Sequence, residues 1–310
     1  MNMNDLKRQY AEKFLSLNWL RPEIALAQSV SSLLTRGQLC GKKMLEIGCG
    51  NGNFTFLTVG GLFNFDYDLY LNADINGFYE GRDIYNVFEP EKAAFIKKKP
   101  SYTFKIGLDK KEALVKQADQ LSLYETTLID DFTETCAIGD NSCDVIYSNI
   151  FHWLSSPFKA LKKAAGFLVS GGKIILTFPN PNIYIYWPSC NKKNEDNKIW
   201  QMINRHRSKD IKWTMSYHGF KEGLEASNND LRIIDFKTWL KPHQSILWDI
   251  GLRPLSVPLI KMSQKLSGTD RTEIKKDFVA TILPYLNELI DDEFRSADQG
   301  CMNFIVLQKN

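Results

Sequence analysis

Paired cysteine chemistry is the first thing this sequence lacks. Its six cysteines, at 40, 49, 136, 143, 190 and 301, form no C-x-x-C pair, and none of its four histidines stands at zinc-ligand spacing from them. A zinc motif is therefore excluded, no metal site is expected, and the thiols are expected to stay reduced. An excess of one charge is also missing: 39 Lys and Arg stand against 36 Asp and Glu. With no long basic run, the balance argues against a nucleic-acid partner. The start, Met1 to Arg8, is polar, and neither a cleavable signal pattern nor a long apolar span follows, so a cytoplasmic location is expected, with membrane contact at most peripheral. What is present is an apolar share of 44% over 310 residues, enough for one large domain with elaborations or two small ones.

One absent glycine decides how the most informative stretch is read. In Lys42-Lys43-Met44-Leu45-Glu46-Ile47-Gly48-Cys49-Gly50-Asn51-Gly52-Asn53, a buried strand carries an acidic residue near its end. It then breaks into close-set glycines that let bare backbone approach a ligand. A dinucleotide fingerprint needs G-x-G-x-x-G, and its last position here is Asn53, which disfavours a pyrophosphate site and hence a dehydrogenase.

The stretch resembles motif I of the class I S-adenosylmethionine-dependent methyltransferases, an acidic residue followed by G-x-G-x-G. The resemblance implies that Glu46 orients the methionine amino group of S-adenosylmethionine. It also implies that the turn Gly48, Cys49, Gly50, Asn51 and Gly52 lies against that cofactor. Further family blocks follow in order. Tyr102 to Asp109 is similar to the second-strand block, so Asp109 is the expected ribose ligand, with Lys110 beside it. Asp74 competes on sequence distance, yet no convincing helix follows it, whereas Lys110 to Leu121 reads as an amphipathic helix. After a third strand, Leu123 to Ile129, the family places an acidic residue on the adenine amino group with its neighbour on the ring. Asp131 with Phe132 fits best, and Asp130 is close behind. The fourth strand, Asp144 to Asn149, and the Ser170-Gly171-Gly172 turn before the fifth strand complete the series. The implied fold is α/β, a Rossmann-like seven-stranded methyltransferase sheet with helices on both faces, N-terminal helices and two insertions.

The mouth of the fourth strand adds Asn149 and Ile150 to the expected cofactor residues. His152 follows as the best-placed titratable group, able to take a proton from an attacking hydroxyl or amine; the competing role is packing beneath the cofactor. Trp153, Tyr184 and Tyr186 are the expected acceptor-binding residues, and His218 is a second base candidate. Arg205, His206, Arg207 and Lys209 form a basic cluster that reads as a solvated helix face or as a phosphate site. Two helices, Leu6 to Leu17 and Pro22 to Leu34, precede the first strand; Arg21 between them is a candidate cofactor lid residue and Trp19 reads as packing.

The expected organisation is a helical cap over 1–40, a core over 41–240 plus 301–310 with an insertion at about 54–100, and a mostly helical insertion over 241–300. The order of blocks resembles small-molecule methyltransferases of the quinone-biosynthesis type. Asn53 to Gly61 with Trp248 to Leu255 resembles bacterial enzymes of surface-polysaccharide or related sugar pathways. That resemblance implies methyl transfer to a hydroxyl of a sugar or nucleotide sugar. A quinone, lipid or other small metabolite is the alternative acceptor, and a non-catalytic cofactor-binding subunit is the alternative class.

Overall fold

The structure, a computed structural model, describes residues 2–41, 43–79, 83–87, 89, 91–134, 136–204, 211–290, 294 and 299–310. The strands are Met44–Ile47 (β1), Leu62–Phe63 (β2), Ile96–Lys98 (β3), Phe104–Asp109 (β4), Tyr124–Ile129 (β5), Cys143–Ser148 (β6), Leu168–Pro179 (β7), Leu231–Trp239 (β8) and Met302–Lys309 (β9). One sheet has the order β5-β4-β1-β6-β7-β9-β8, and β2 and β3 pair separately as a short ribbon. The first five of that order run parallel, and β9 lies antiparallel between β7 and β8. This is the Rossmann-like, seven-stranded arrangement predicted from the order of motifs.

The choice of second strand is settled by register. Leu45, Glu46 and Ile47 of β1 pair with Ile106, Gly107 and Leu108 of β4. Asp74 lies outside the sheet, its Oδ1 accepting the N–H of Gly77 at 2.8 Å. On the other side β1 pairs with β6, so the chain leaves β1 in one direction and returns on its far side. That switch lies at the carboxyl ends of β1 and β6, the place where open α/β sheets hold ligands.

β1 is buried along its whole length, as a central parallel strand covered on both faces must be. Its side chains alternate between the two layers. Met44 joins the layer of helices Met3–Leu17 (α1), Pro22–Thr35 (α2) and Asn53–Thr58 (α3), while Leu45 and Ile47 join the layer facing Pro157–Phe167 and Tyr217–Ala226. Each such fully buried Leu or Ile contributes about 1.5–3 kcal/mol. Local signals start the helices: Asn2 Oδ1 accepts the N–H of Asp5 at 2.8 Å at the head of α1, and Pro22 opens α2.

The 54–100 insertion packs inward. Phe63, Tyr67 and Tyr70 are buried within the α1–α2 layer, so these aromatics form core instead of lining a cleft. Further helices are Ile75–Tyr79 (α4), Glu112–Asp119 (α5), Pro157–Phe167 (α6), Ile183–Tyr186 (α7), Lys198–Asn204 (α8), Tyr217–Ala226 (α9), Pro242–Asp249 (α10), Ser256–Ser263 (α11) and Gly268–Leu289 (α12). Buried Asp68 joins three regions: its Oδ2 accepts from Trp19 Nε1 at 3.1 Å and from Arg271 Nε of α12 at 2.6 Å. Lys275, one turn further along α12, donates to the carbonyls of Phe65 and Tyr67, each at 2.6 Å. Among the described residues no helix is long and apolar enough to cross a membrane.

Candidate functional site

Three glycines shape the turn after β1, each for a different reason. All are left-handed, with φ of 78° at Gly48, 54° at Gly50 and 73° at Gly52, a region that costs other residues about 1–2 kcal/mol. A Cβ at Gly48 would lie 2.5 Å from Cγ2 of Ile150, and one at Gly52 would lie 2.8 Å from Cδ1 of Leu121. The first glycine therefore admits the loop after β6, and the third lets α3 pack beside α5. A Cβ at Gly50 would meet nothing within 4 Å, so the open backbone of the turn is at Gly50.

The turn is held from beneath by β4. The N–H groups of Gly48 and Cys49 both donate to the carbonyl of Leu108, at 2.7 and 3.0 Å. Asp109, at the end of β4, accepts the Gly50 N–H on Oδ2 and the Lys111 N–H on Oδ1, each at 3.0 Å. Asn51 Oδ1 accepts from the Asn53 N–H at 3.2 Å, and its carbonyl accepts from Lys92 Nζ at 2.7 Å. Burial pushes the Cys49 thiol well above its ordinary range, which leaves it unreactive.

Glu46 is enclosed from both sides. It is 4% exposed, and its two oxygens accept from internal hydroxyls: Oε1 from Thr55 and Oε2 from Tyr124, each at 2.7 Å. Burial pushes its pKa up to about 8, against the opposing effect of those two hydroxyls. Its strand position puts it on the Met44 side of the sheet, facing α3 and the Tyr124 ring. Neither Thr55 nor Tyr124 carries a sequence signal that would have paired it with Glu46.

The carboxyl ends of β4 and β5 meet where the Asp130 N–H donates to the Asp109 carbonyl at 3.1 Å. Asp131 is partly exposed, its Oδ1 accepting from the N–H and hydroxyl of Thr133 at 2.9 and 2.6 Å. Those bonds, with Lys110 3.7 Å away, hold its carboxyl below the usual range. Phe132, at 3% exposure, packs its ring on Phe151 and Phe167 and sits under the Lys163 ammonium. Half-buried Asn149 and Ile150 border the turn, Ile150 directly against Gly48.

His152 sits in the short Phe151–Trp153 helix, 9% exposed, with Nδ1 buried and unpartnered. Burial pulls its pKa down to about 4, so it is neutral near pH 7 and a weak proton acceptor. Trp153 beside it is 53% exposed, and Tyr184, in α7 beyond the end of β7, is 39% exposed. Tyr186 packs against the Ile183, Trp187 and Cys301 cluster.

Two further candidates lie away from the glycine turn on other elements. The His218 side chain is 80% exposed on α9 and pairs with Glu222 at 3.0 Å; it belongs to a solvent-facing helix surface. Arg21 pairs with the fully buried Glu23 carboxylate at the start of α2, which makes it part of the helix junction. The basic cluster Arg205, His206, Arg207 and Lys209 lies outside the described residues. Two grooves, of about 540 and 460 Å³, lie between α5 and β5 and between Asp74 and α11; neither includes the glycine turn.

Residues 97–176, which run from β3 through most of β7, match the family described as a methyltransferase domain. No curated protein matches the chain. Among solved structures, an S-adenosylmethionine-dependent methyltransferase of Thermotoga maritima is 13% identical, with 91% of this chain and 89% of that one covered and a TM-score of 0.44. One of Mesorhizobium loti is also 13% identical, covering 92% and 100%, with a TM-score of 0.45. A phosphoethanolamine N-methyltransferase of Haemonchus contortus, in complex with phosphomonomethylethanolamine and S-adenosylhomocysteine, is 13% identical, covering 96% and 60%, with a TM-score of 0.46. No acceptor follows from likenesses of this degree.

Proposed function

We propose that this chain is an S-adenosylmethionine-dependent methyltransferase that transfers the methyl group to a hydroxyl of a small acceptor, a sugar or nucleotide sugar. The observation that carries the acceptor class is the exposure of Trp153 and Tyr184, at 53% and 39%, beyond the carboxyl ends of β6 and β7. Exposed aromatic faces at that end of the sheet suit the C–H face of a sugar ring.

The residues present fit the cofactor. Gly50 leaves open backbone, and Asp109 keeps lone pairs on both oxygens after its two backbone bonds, enough to accept from a pair of ribose hydroxyls. Asp131, partly exposed at the neighbouring strand end, is the residue proposed to accept from the adenine amino group. The cofactor, when bound, supplies a methyl group already activated on a sulfonium. The protein then has to align the acceptor oxygen and remove its proton, and alignment can account for most of the acceleration. His152, neutral near pH 7 with an Nδ1 that has no partner in the protein, is the residue proposed to receive the proton, its low basicity making that transfer secondary to alignment.

The test is incubation with S-adenosylmethionine and a panel of nucleotide sugars, free sugars and quinols, followed by mass spectrometry of the acceptors. A methylated sugar, with a raised KM for Trp153→Ala, supports the reading. Methylation confined to a quinol or lipid overturns the acceptor class. Tight S-adenosylhomocysteine binding with no acceptor modified points to a non-catalytic cofactor-binding subunit.

A further inference from the structure

Lys92 lies near the end of the 54–100 segment, in the polar stretch Glu89-Pro90-Glu91-Lys92-Ala93. It is 1% exposed, and its ammonium donates to the carbonyl of Asn51 in the cofactor turn at 2.7 Å, across 41 residues of sequence. Resting on the reading of the glycine turn as the cofactor site, which wild-type S-adenosylhomocysteine binding tests by itself, we infer that Lys92 is a positioning residue for that turn, and that the 54–100 segment, through it, is a working part of the site.

The turn has two sides. β4 holds one through the Leu108 carbonyl and the Asp109 carboxylate, which take the N–H groups of Gly48, Cys49 and Gly50. The Asn51 carbonyl is on the other, and a peptide plane between two left-handed glycines rotates easily unless both ends are held. Lys92 supplies that second hold, and it fixes which way the open Gly50 backbone faces.

Lys92 is itself held in place. Gln120, just beyond α5, donates through Nε2 to the Glu89 carbonyl at 2.6 Å and accepts on Oε1 from the Ala93 N–H at 3.2 Å. One side chain thus fastens the backbone on both sides of Lys92. Gly52 meets the same region, against Ala118 and Leu121. The glycine turn and the Lys92 segment are therefore registered on one helix end.

Burying an ammonium is costly, and here burial pulls the lysine down to about 7, while Glu89 and Cys49 pull it upward. Glu89 is itself buried and accepts from the Tyr67 hydroxyl at 2.8 Å. An apolar side chain would fill the same space without that cost, but it would leave the Asn51 carbonyl without this donor.

Calorimetric titration with S-adenosylhomocysteine tests this on the whole chain, comparing wild type with Lys92→Met, Lys92→Gln and Gln120→Ala, together with thermal unfolding and hydrogen exchange of each free protein. Lys92→Met should weaken binding about tenfold, the size expected for losing a charge-assisted hydrogen bond, and Lys92→Gln should recover part of it. Exchange should rise over residues 48–53 while the β6 and β7 segments keep their protection. Should Lys92→Met fail to fold, Gln120→Ala carries the test: it frees the segment without leaving a buried charge and should also weaken binding. Affinity within about twofold of wild type in every folded variant would overturn the inference. So would a loss of protection spread evenly over the sheet, which would mark Lys92 as a general stabiliser.

Discussion

Asp109 reaches from the end of β4 to the turn beyond β1, its Oδ2 accepting the Gly50 N–H at 3.0 Å. The residue proposed to hold the ribose thus also helps to shape the turn on which the cofactor would rest.

Replacing Asp109 with Ala should therefore act twice. Hydrogen bonds to a charged group are worth about 1.5–3 kcal/mol each, so S-adenosylhomocysteine affinity should fall by at least about tenfold, and thermal stability should fall as the turn loosens. Asp109→Asn keeps an acceptor for Gly50 and should lose less of both. Calorimetry on the two variants checks this, and unchanged affinity in Asp109→Ala would remove β4 as the ribose strand.

The three glycines should separate by substitution with Ala. Gly48→Ala and Gly52→Ala combine a left-handed backbone with contacts of 2.5 and 2.8 Å and should destabilise by about 2 kcal/mol or more. Gly50→Ala meets no neighbour and should cost about 1 kcal/mol of stability, while impairing cofactor binding more than that strain explains. Urea unfolding alongside titration separates the two effects. Equal losses of stability at all three positions would refute the division of labour.

Glu46 should make stability depend on pH. Its pKa is raised from an ordinary 4.5 to about 8, so the folded state holds its proton more tightly than the unfolded state does. The stability this contributes is fully present below 4.5 and is lost as pH rises through about 8. Glu46→Gln should flatten that part of the profile and exceed wild type in stability above the upper limit. Urea unfolding across the window gives the comparison.

His152 has the opposite shift, lowered from 6.5 to about 4 by burial. Its contribution is present above 6.5 and is lost as pH falls through about 4. His152→Phe should remove the acid limb of the stability profile that belongs to this residue. If His152 takes the acceptor proton, the same variant should lower kcat with little change in S-adenosylhomocysteine affinity, and a kcat equal to wild type would relieve it of that role.

The strands were legible because central parallel strands are continuous apolar runs, and the Glu46 to Gly52 turn because closely spaced glycines have few other uses. Asp109 was preferred over Asp74 on the helix that follows it, and the β1–β4 register agrees. Side-chain roles were less legible. Phe132 and Trp153 are both aromatics at strand ends, yet one is 3% and the other 53% exposed, a difference that depends on which neighbours close over each ring. His152 and His218 differ in the same way, one enclosed by the segment after β6 and the other on an open helix face.

The sequence by itself determined the order of elements, the place of the glycine turn and the carboxylates available at the strand ends, because periodicity and glycine spacing are local properties. Only the tertiary structure decided which polar groups meet. Glu46 is enclosed by hydroxyls 9 and 78 residues away, and Lys92 crosses 41 residues to the turn. Burial and hydrogen bonding set the charge and reach of these groups, and both depend on contacts between segments that are remote in the chain.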